Sequence, residues 1–209
     1  MGKMIRILGN IPNQVTVACS GGPDSMAIID FLRKGRKSVT VAHFDHGTEH
    51  GISAREFVSQ YCDDNDIPVV FGKIFQQKTS EKSWEEHWRD ERYKWLSTIP
   101  SEVVTGHHLD DCVEWYMFTS LHGNGRLIPY RRGNVTRPFL TTPKSSFVRW
   151  CDKNSVEYVT DPGNYDEKFM RSIIRHAIVP QCLRVNPGLR KVINKKVKKD
   201  YKENWENKN

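Results

Sequence analysis

The run VTVACSGGPDS, Val15 to Ser25, continued by MAIIDFLRK, Met26 to Lys34, decides the fold. Val15 to Cys19 are apolar and β-branched, the pattern of a strand buried on both faces. Gly21 and Gly22 let the chain turn with φ > 0 and bring its backbone close to a ligand. The apolar spacing after Ser25 predicts a helix. Backbone N–H groups at that helix start, reinforced by its dipole, make Ser20-Gly21-Gly22-Pro23-Asp24-Ser25 a site for an anion. Ser20 and Ser25 bring hydroxyl donors, and Asp24 can hold a Mg²⁺ that bridges phosphate oxygens. No Lys stands where a Walker loop carries one, and GxGxxG is absent, so neither of those nucleotide loops is present.

Working outward, strand and helix alternate four times. Ser38 to Phe44 reads as a second buried strand, and a helix is predicted from about Ser53 to Asp64, with Ser53 and Glu56 at capping-box spacing. Val69 to Ile74 is a third strand. Ser83 and Glu86 open a helix on which Trp84, Trp88 and Trp95 read as core packing. Glu102 to Thr105 is a fourth strand, running through Gly106-His107-His108 into a helix from about Leu109 to Leu121. The fold class this predicts is α/β, a doubly wound parallel sheet that binds ligands at the carboxyl ends of its strands. Beyond residue 122 come a glycine turn (Gly123, Gly125), a short strand around Val135 to Phe139 and a helix capped by Thr142 with Pro143 at its first position. Another helix, from about Lys168 to Val179, is expected to stop at Pro180. After Asn186-Pro187-Gly188, Ile193, Val197, Tyr201 and Trp205 recur every fourth residue among many lysines, the pattern of a basic amphipathic helix. Its two readings are a solvated helix whose apolar stripe packs on the domain and an RNA-binding surface. The expected organisation is a catalytic domain over 1–188 (sheet core about 15–121, helical extension about 122–188) and a basic tail over 189–209.

Composition narrows the classes. The chain has 209 residues with 32 Lys and Arg against 25 Asp and Glu, a formal net charge of +7. A polyanionic partner suits that balance. Cys19, Cys62, Cys112, Cys151 and Cys182 form no CxxC pair and no zinc-spaced cluster, as expected of reduced thiols in a cytoplasmic protein. No apolar run approaches membrane-spanning length, so no membrane partner is expected. Whether the chain forms a homo-oligomer stays open.

From about Val15 to Leu189 the sequence resembles the PP-loop ATP pyrophosphatases, and within them the tRNA(Ile)-lysidine synthetase family. The matching elements occur in order: SGGPDS; HFDHG at His43 to Gly47; Glu85, Arg89 and Arg92-Tyr93 as ExxxRxxRY; GHHLDDCVE at Gly106 to Glu114; Arg137-Pro138-Phe139; DPGNYD at Asp161 to Asp166; and Arg171 to His176. Departures are Thr48-Glu49 where the family often has Leu-Arg, Ser172 in place of Asn, and His122-Gly123-Asn124-Gly125 in place of RGSG. The family's C-terminal tRNA-gripping region is represented here only by the basic tail.

The resemblance implies a ligase using ATP, Mg²⁺, free lysine and a tRNA with a CAU anticodon. The anticodon cytosine displaces pyrophosphate from ATP, and lysine then displaces AMP. Ser20, Gly21, Gly22, Pro23, Asp24 and Ser25 would hold the nucleotide, with Asp45 and His46 near its base and ribose. Asp24, Asp111 and Glu114 are the expected metal ligands. His107, Asp110, Asp111 and Glu114, around the start of one helix, would take a proton and orient lysine or metal, although acidic residues there also serve as caps. Arg137, Arg171 and Arg175 are expected at pyrophosphate, AMP or tRNA phosphates, with Asn164 and Asp166 shaping the loop before them. The rival readings are tRNA thiolation by a related enzyme, disfavoured by the missing CxxC, and a non-catalytic RNA-binding remnant, disfavoured by the intact SGGPDS and HHLDD.

Overall fold

A computed structural model describes residues 5–74, 83–160 and 170–206, without the side chains of Glu49 and Glu85. Asp161 to Asp166, with Asn164 and Asp166, therefore lies outside the described residues, as does the expected helix start at Lys168.

Strand β1 (Gln14–Cys19) runs through the glycine turn into α1 (Pro23–Lys34), followed by β2 (Ser38–Asp45), α2 (Glu49–Asp64), β3 (Val69–Lys73), α3 (Trp84–Leu96), β4 (Val103–Val104) and α4 (Leu109–Leu121). A short hairpin, β5 (Arg131–Arg132) and β6 (Val135–Thr136), completes the sheet in the order β3-β2-β1-β4-β6-β5. All pairings are parallel except β5 with β6.

Alternation along the central strands sends successive side chains to opposite faces. Val15, Val17, Cys19, Val39 and Val41 pack with Met26, Ile28, Ile29 and Leu32 of α1, Val58 and Cys62 of α2, and Phe147 and Cys151 of α5 (Lys144–Asn154). Ala42 and Val103 join Tyr93 and Leu96 of α3 in a second cluster. Helices thus cover both faces of the sheet, as the alternation predicts.

Local differences have local causes. Helix α2 begins one turn before Ser53, because the Thr48 hydroxyl caps it by accepting from the Gly51 N–H at 3.1 Å. Thr142 does not cap α5. Its hydroxyl is taken by the backbone of Arg6, and the Asp110 carboxylate caps the helix instead by accepting from the Lys144 N–H at 2.9 Å. Of the three tryptophans on α3, Trp95 packs against the second cluster, whereas Trp84 is 53% exposed beside the Trp88 ring. The predicted strand at Val135 to Phe139 pairs only at Val135 and Thr136, and Phe139 turns into the core.

Pro180 does not end its helix. The segment α6 (Met170–Ile173) passes into a π-helical turn, Ile174–Ile178, and continues as α7 (Val179–Val185). The wide turn resets the hydrogen-bond register, and Pro180 lands in the first turn of α7, where its missing N–H costs nothing. Helix α8 (Leu189–Asn204) buries Ile193 and Val197 against Leu109, Cys112 and Val113 of α4, and Tyr201 against Tyr130. The apolar stripe thus packs on the domain.

Candidate active site

Chain order reverses between β1 and β4, and a crevice opens there at the strands' carboxyl ends, where open α/β sheets bind ligands. The loop after β1 and Gly106-His107-His108 after β4 form its floor; the cleft, about 610 Å³, is also lined by His43, His46, Arg92, Asp111, Lys144, Val159, Arg171 and Arg175.

Gly22 caps α1 with no side-chain hydrogen bond, so the first-turn N–H groups of that helix are not taken by a side chain. The loop is held from beneath: the buried Ser25 hydroxyl donates to the Gly22 carbonyl at 3.0 Å and accepts from the Ser20 N–H at 3.3 Å. Ser25 is committed to the loop, and Ser20 is the hydroxyl that faces outward. Gly21 has φ +80°, and a Cβ there would meet the Val159 side chain at 2.9 Å. Gly21→Ala should therefore cost about 1–2 kcal/mol from backbone conformation alone, more with the clash, measurable as a lower urea midpoint. An unchanged midpoint would show that the loop relaxes freely.

Asp24, one quarter exposed, places Oδ2 3.6 Å from His108 Nε2 and 3.8 Å from Lys144 Nζ. Burial works against its charge, but His108, Lys144 and Arg175 outweigh burial and hold its pKa below the usual carboxylate value. Its Oδ1 is buried without a hydrogen-bond partner. His108 caps α4 in a reciprocal box: Nδ1 accepts from the Asp111 N–H at 3.2 Å, and Asp111 Oδ2 accepts from the His108 N–H at 2.9 Å. In that geometry the imidazole proton sits on Nε2, facing Asp24. A second proton would exchange the cap for an ion pair with Asp111 Oδ2, 3.3 Å from Nδ1.

The neighbouring histidines are pushed in opposite directions. Burial, then Arg137, Arg92 and Arg171, hold His107 well below the ordinary imidazole value, while its Nδ1 lies 2.8 Å from the Thr105 hydroxyl. Burial opposes charge on His108 too, but Asp111, Asp24 and Asp110 outweigh it and raise its pKa. A histidine kept neutral in the fold costs stability as pH falls below its unfolded value of about 6.5. One with a raised pKa contributes fully below about 6.5 and loses that contribution as pH rises through the folded value. His107→Asn should therefore flatten the acid-side loss of stability, and His108→Asn the alkaline-side loss. Urea midpoints from about pH 5 to 8.5 test this; two variant curves parallel to the parent would contradict it.

Behind this chain of groups lies a buried ion pair. Glu114, 2% exposed, accepts from Arg171 Nε at 2.6 Å through Oε1 and from Arg175 Nε at 2.8 Å through Oε2. Arg175 Nη2 also lies 2.7 Å from Glu114 Oε2 and 3.6 Å from Asp111 Oδ1. Arg175 stands within the π turn, which sets its guanidinium beside that of Arg171 on the same carboxylate. Both arginines remain about a third exposed toward the cleft.

Several of the expected site residues are engaged by partners within the fold. Both Glu114 oxygens are occupied by arginine, and among the described residues no group of three or more His, Cys, Asp or Glu side chains is arranged to hold a metal. Asp110 is not turned into the cleft. It caps α5 and accepts from Arg190 Nε of α8 at 2.8 Å, a joint between three helices. Arg137 is 1% exposed and donates to the Pro129 carbonyl and the Tyr93 hydroxyl, each at 2.7 Å, so its field reaches the cleft but its fork does not. Asp45 forms a turn, Oδ1 accepting from the Gly47 N–H at 2.8 Å, while His46 does line the cleft.

Arg92 and Lys144 are cleft residues that sequence reasoning left out of the site. Arg92 carried a signal, its place in ExxxRxxRY. Lys144 carried none, since it arrives only through the Asp110 cap.

With this geometry in view, residues 3–182 match the family model of the PP-loop domain. The chain belongs to the PP-loop family. Among curated relatives of this PP-loop domain, the tRNA(Ile)-lysidine synthase of Thermotoga maritima is 36% identical over 190 residues, covering 83% of this chain and 46% of the relative. That of Porphyromonas gingivalis is 30% identical over 195 residues, covering 86% and 43%. The chain thus spans less than half the length of these relatives. Among solved structures, the NH3-dependent NAD synthetase of Campylobacter jejuni aligns over 92% of this chain and 85% of its own, at 16% identity and TM-score 0.49, a likeness too loose to bear on chemistry.

Proposed function

We propose that this PP-loop domain joins free lysine to the wobble cytidine of a tRNA(Ile) with a CAU anticodon, through an adenylated cytidine, releasing pyrophosphate and then AMP. The observation that carries the reading is the meeting, in one cleft, of the uncapped α1 N-terminus with Asp24, Arg92, Arg171 and Arg175. Backbone N–H groups and guanidinium forks suit phosphate oxygens that gain charge as pyrophosphate leaves. The two curated relatives supply the substrate class.

Mg²⁺ fits this site through Asp24, whose buried and unpartnered Oδ1 is a ready oxygen ligand, with Asp111 on the other side of His108. Mg²⁺ commonly takes one or two carboxylates and completes its shell with phosphate oxygens and water, so a three-carboxylate cluster is not required. When bound it would neutralise charge developing between the phosphates.

Lysine attack needs a neutral amine. With an ordinary pKa of about 10.4, roughly 1 lysine in 2,500 is neutral at pH 7, a cost of roughly 4.6 kcal/mol. His107 is neutral in the free protein because of burial and the surrounding arginines. A bound triphosphate would offset Arg92 and Arg171, bringing His107 toward the range in which it accepts a proton. Asp111 would orient the ammonium before it loses that proton. Sulfur transfer is disfavoured because Cys19, the one cysteine among the described residues that line the cleft, is buried, and burial pushes its thiol pKa up.

The test is incubation of the chain with ATP, labelled lysine and a CAU-anticodon tRNA. Label in the RNA, with equal AMP and pyrophosphate, supports the reading. AMP formation that ignores RNA, or RNA-dependent sulfur transfer without lysine uptake, contradicts it.

A further inference from the structure

Helix α8 uses one side to pack on α4, and its other faces are unevenly charged. Taking 100° per residue, Lys191, Lys195, Lys198 and Lys202 fall within an arc of about 60°, at the i, i+4, i+7, i+11 spacing of a single stripe. All four are exposed and, unlike Arg190 on Asp110, Lys199 on Glu203 and Lys196 over the Tyr116 ring, they carry no partner among the described residues. Asp200 and Glu203, the acids of this helix, lie well outside the arc, so nothing on α8 neutralises it. The stripe is about 16 Å long at 1.5 Å per residue.

Its position matters as much as its charge. Arg190, one residue before the stripe, is bonded to Asp110, and Asp110 adjoins Asp111 at the cleft and caps α5 through Lys144, whose ammonium faces Asp24. The start of α8 is therefore tied to the start of α4, whose next residue, Asp111, lines the cleft, and the lysine row runs from there along α8 on a face turned away from the buried Ile193, Val197 and Tyr201. A surface built only for solubility has no reason to align four unpaired charges and exclude acids from between them. The apolar stripe Ile193, Val197 and Tyr201 is already buried in the domain, which leaves no apolar face to enter a lipid surface.

We propose that the α8 lysine stripe is a backbone track for RNA, holding the phosphates of the strand or stem that leads away from the nucleotide seated in the cleft. This rests on the functional reading above and adds where the RNA lies. At about 3.4 Å of axial rise per phosphate along one strand, the stripe covers on the order of five phosphates. Contacts of this kind carry no base specificity and position the RNA.

The experiment measures binding of a CAU-anticodon stem–loop RNA to the full chain by fluorescence anisotropy over a salt series, alongside ATP-dependent AMP release with the same RNA. The variant Lys191→Gln/Lys195→Gln/Lys198→Gln/Lys202→Gln retains helix-favouring side chains, which circular dichroism verifies. Its affinity should fall on the order of 10²-fold near 0.1 M salt, and the slope of log K against log salt should lose about 3, at about 0.7–0.9 per phosphate contact. The off-stripe pair Lys196→Gln/Lys199→Gln should lose less per charge removed. Unchanged binding by the fourfold variant overturns the track while leaving the catalytic reading intact if AMP release still depends on RNA. Equal loss per charge in both variants overturns it too, because the effect is then a general field. Stripe-dependent binding to vesicles containing phosphatidylserine, with RNA affinity unchanged, would assign the stripe to membranes. A parent chain that neither binds nor reacts with the RNA defeats both proposals.

Discussion

Asp24→Asn should reduce RNA-dependent pyrophosphate release by about 10³-fold, the upper end of what one preorganised electrostatic group contributes at a developing phosphate charge. The substitution conserves shape and removes the charge from the carboxylate whose Oδ1 lacks a partner and whose Oδ2 lies between His108 and Lys144. Stability should fall modestly. The cationic neighbours of Asp24 outweigh the burial that disfavours its charge, so neutralisation removes a net favourable interaction. The two effects are read separately, by pyrophosphate release at saturating ATP and by thermal midpoint. If Asp24 holds the metal, excess Mg²⁺ should recover part of the activity of the variant. Full turnover in Asp24→Asn, or a loss that merely follows unfolding, would remove Asp24 from the chemistry.

The contrast between Asp24 and the acids of α4 shows where sequence suffices. Asp24 follows a buried strand and two glycines, and its place at the head of α1 is dictated within a dozen residues; the structure leaves it facing the cleft. Helix α4 was equally legible, from Leu109 to Leu121. What its acids touch was not. Asp110, Asp111 and Glu114 share a surface at helical spacing, but while Asp111 bonds His108, the cap of its own helix, Asp110 and Glu114 find partners brought by distant segments, Lys144 with Arg190 and Arg171 with Arg175. Helical spacing gives the direction of a side chain and says nothing of the segment packed against it.

The same reasoning explains Pro180 and Arg137. A proline signals a helix stop only if the hydrogen-bond register before it is α-helical, and the π turn at Ile174–Ile178 changes that register. Arginine is read as a phosphate ligand because it is ordinarily exposed. Arg137 is buried beneath Tyr93, whose ring also has Arg89, Arg92 and Arg132 within 6 Å. Together with burial, which is the larger cause, Arg137 and Arg92 of that crowd lower the pKa of His107 at a distance. The buried arginine therefore acts on the cleft through its field, a role that no motif spells out.

Glu114→Gln should be the most destabilising single change at the site. Removing the negative charge leaves Arg171 and Arg175 facing each other across an amide. Breaking a buried pair costs about 3–5 kcal/mol, and the lower figure applies because each guanidinium keeps about a third of its exposure. For a chain of this size about 3 kcal/mol corresponds to a drop of roughly 6–12 °C in thermal midpoint. A second consequence separates ion pairing from mere packing. With no carboxylate between them, the two forks become a stronger anion site, so pyrophosphate should raise the midpoint of Glu114→Gln by more than it raises that of the parent. If Glu114 instead oriented lysine or a metal directly, the variant would lose turnover with a nearly unchanged midpoint and the same response to pyrophosphate. A midpoint loss without the enhanced anion response would mean that the arginines have swung away from the cleft, and Glu114 would then be the residue that keeps them aimed into it.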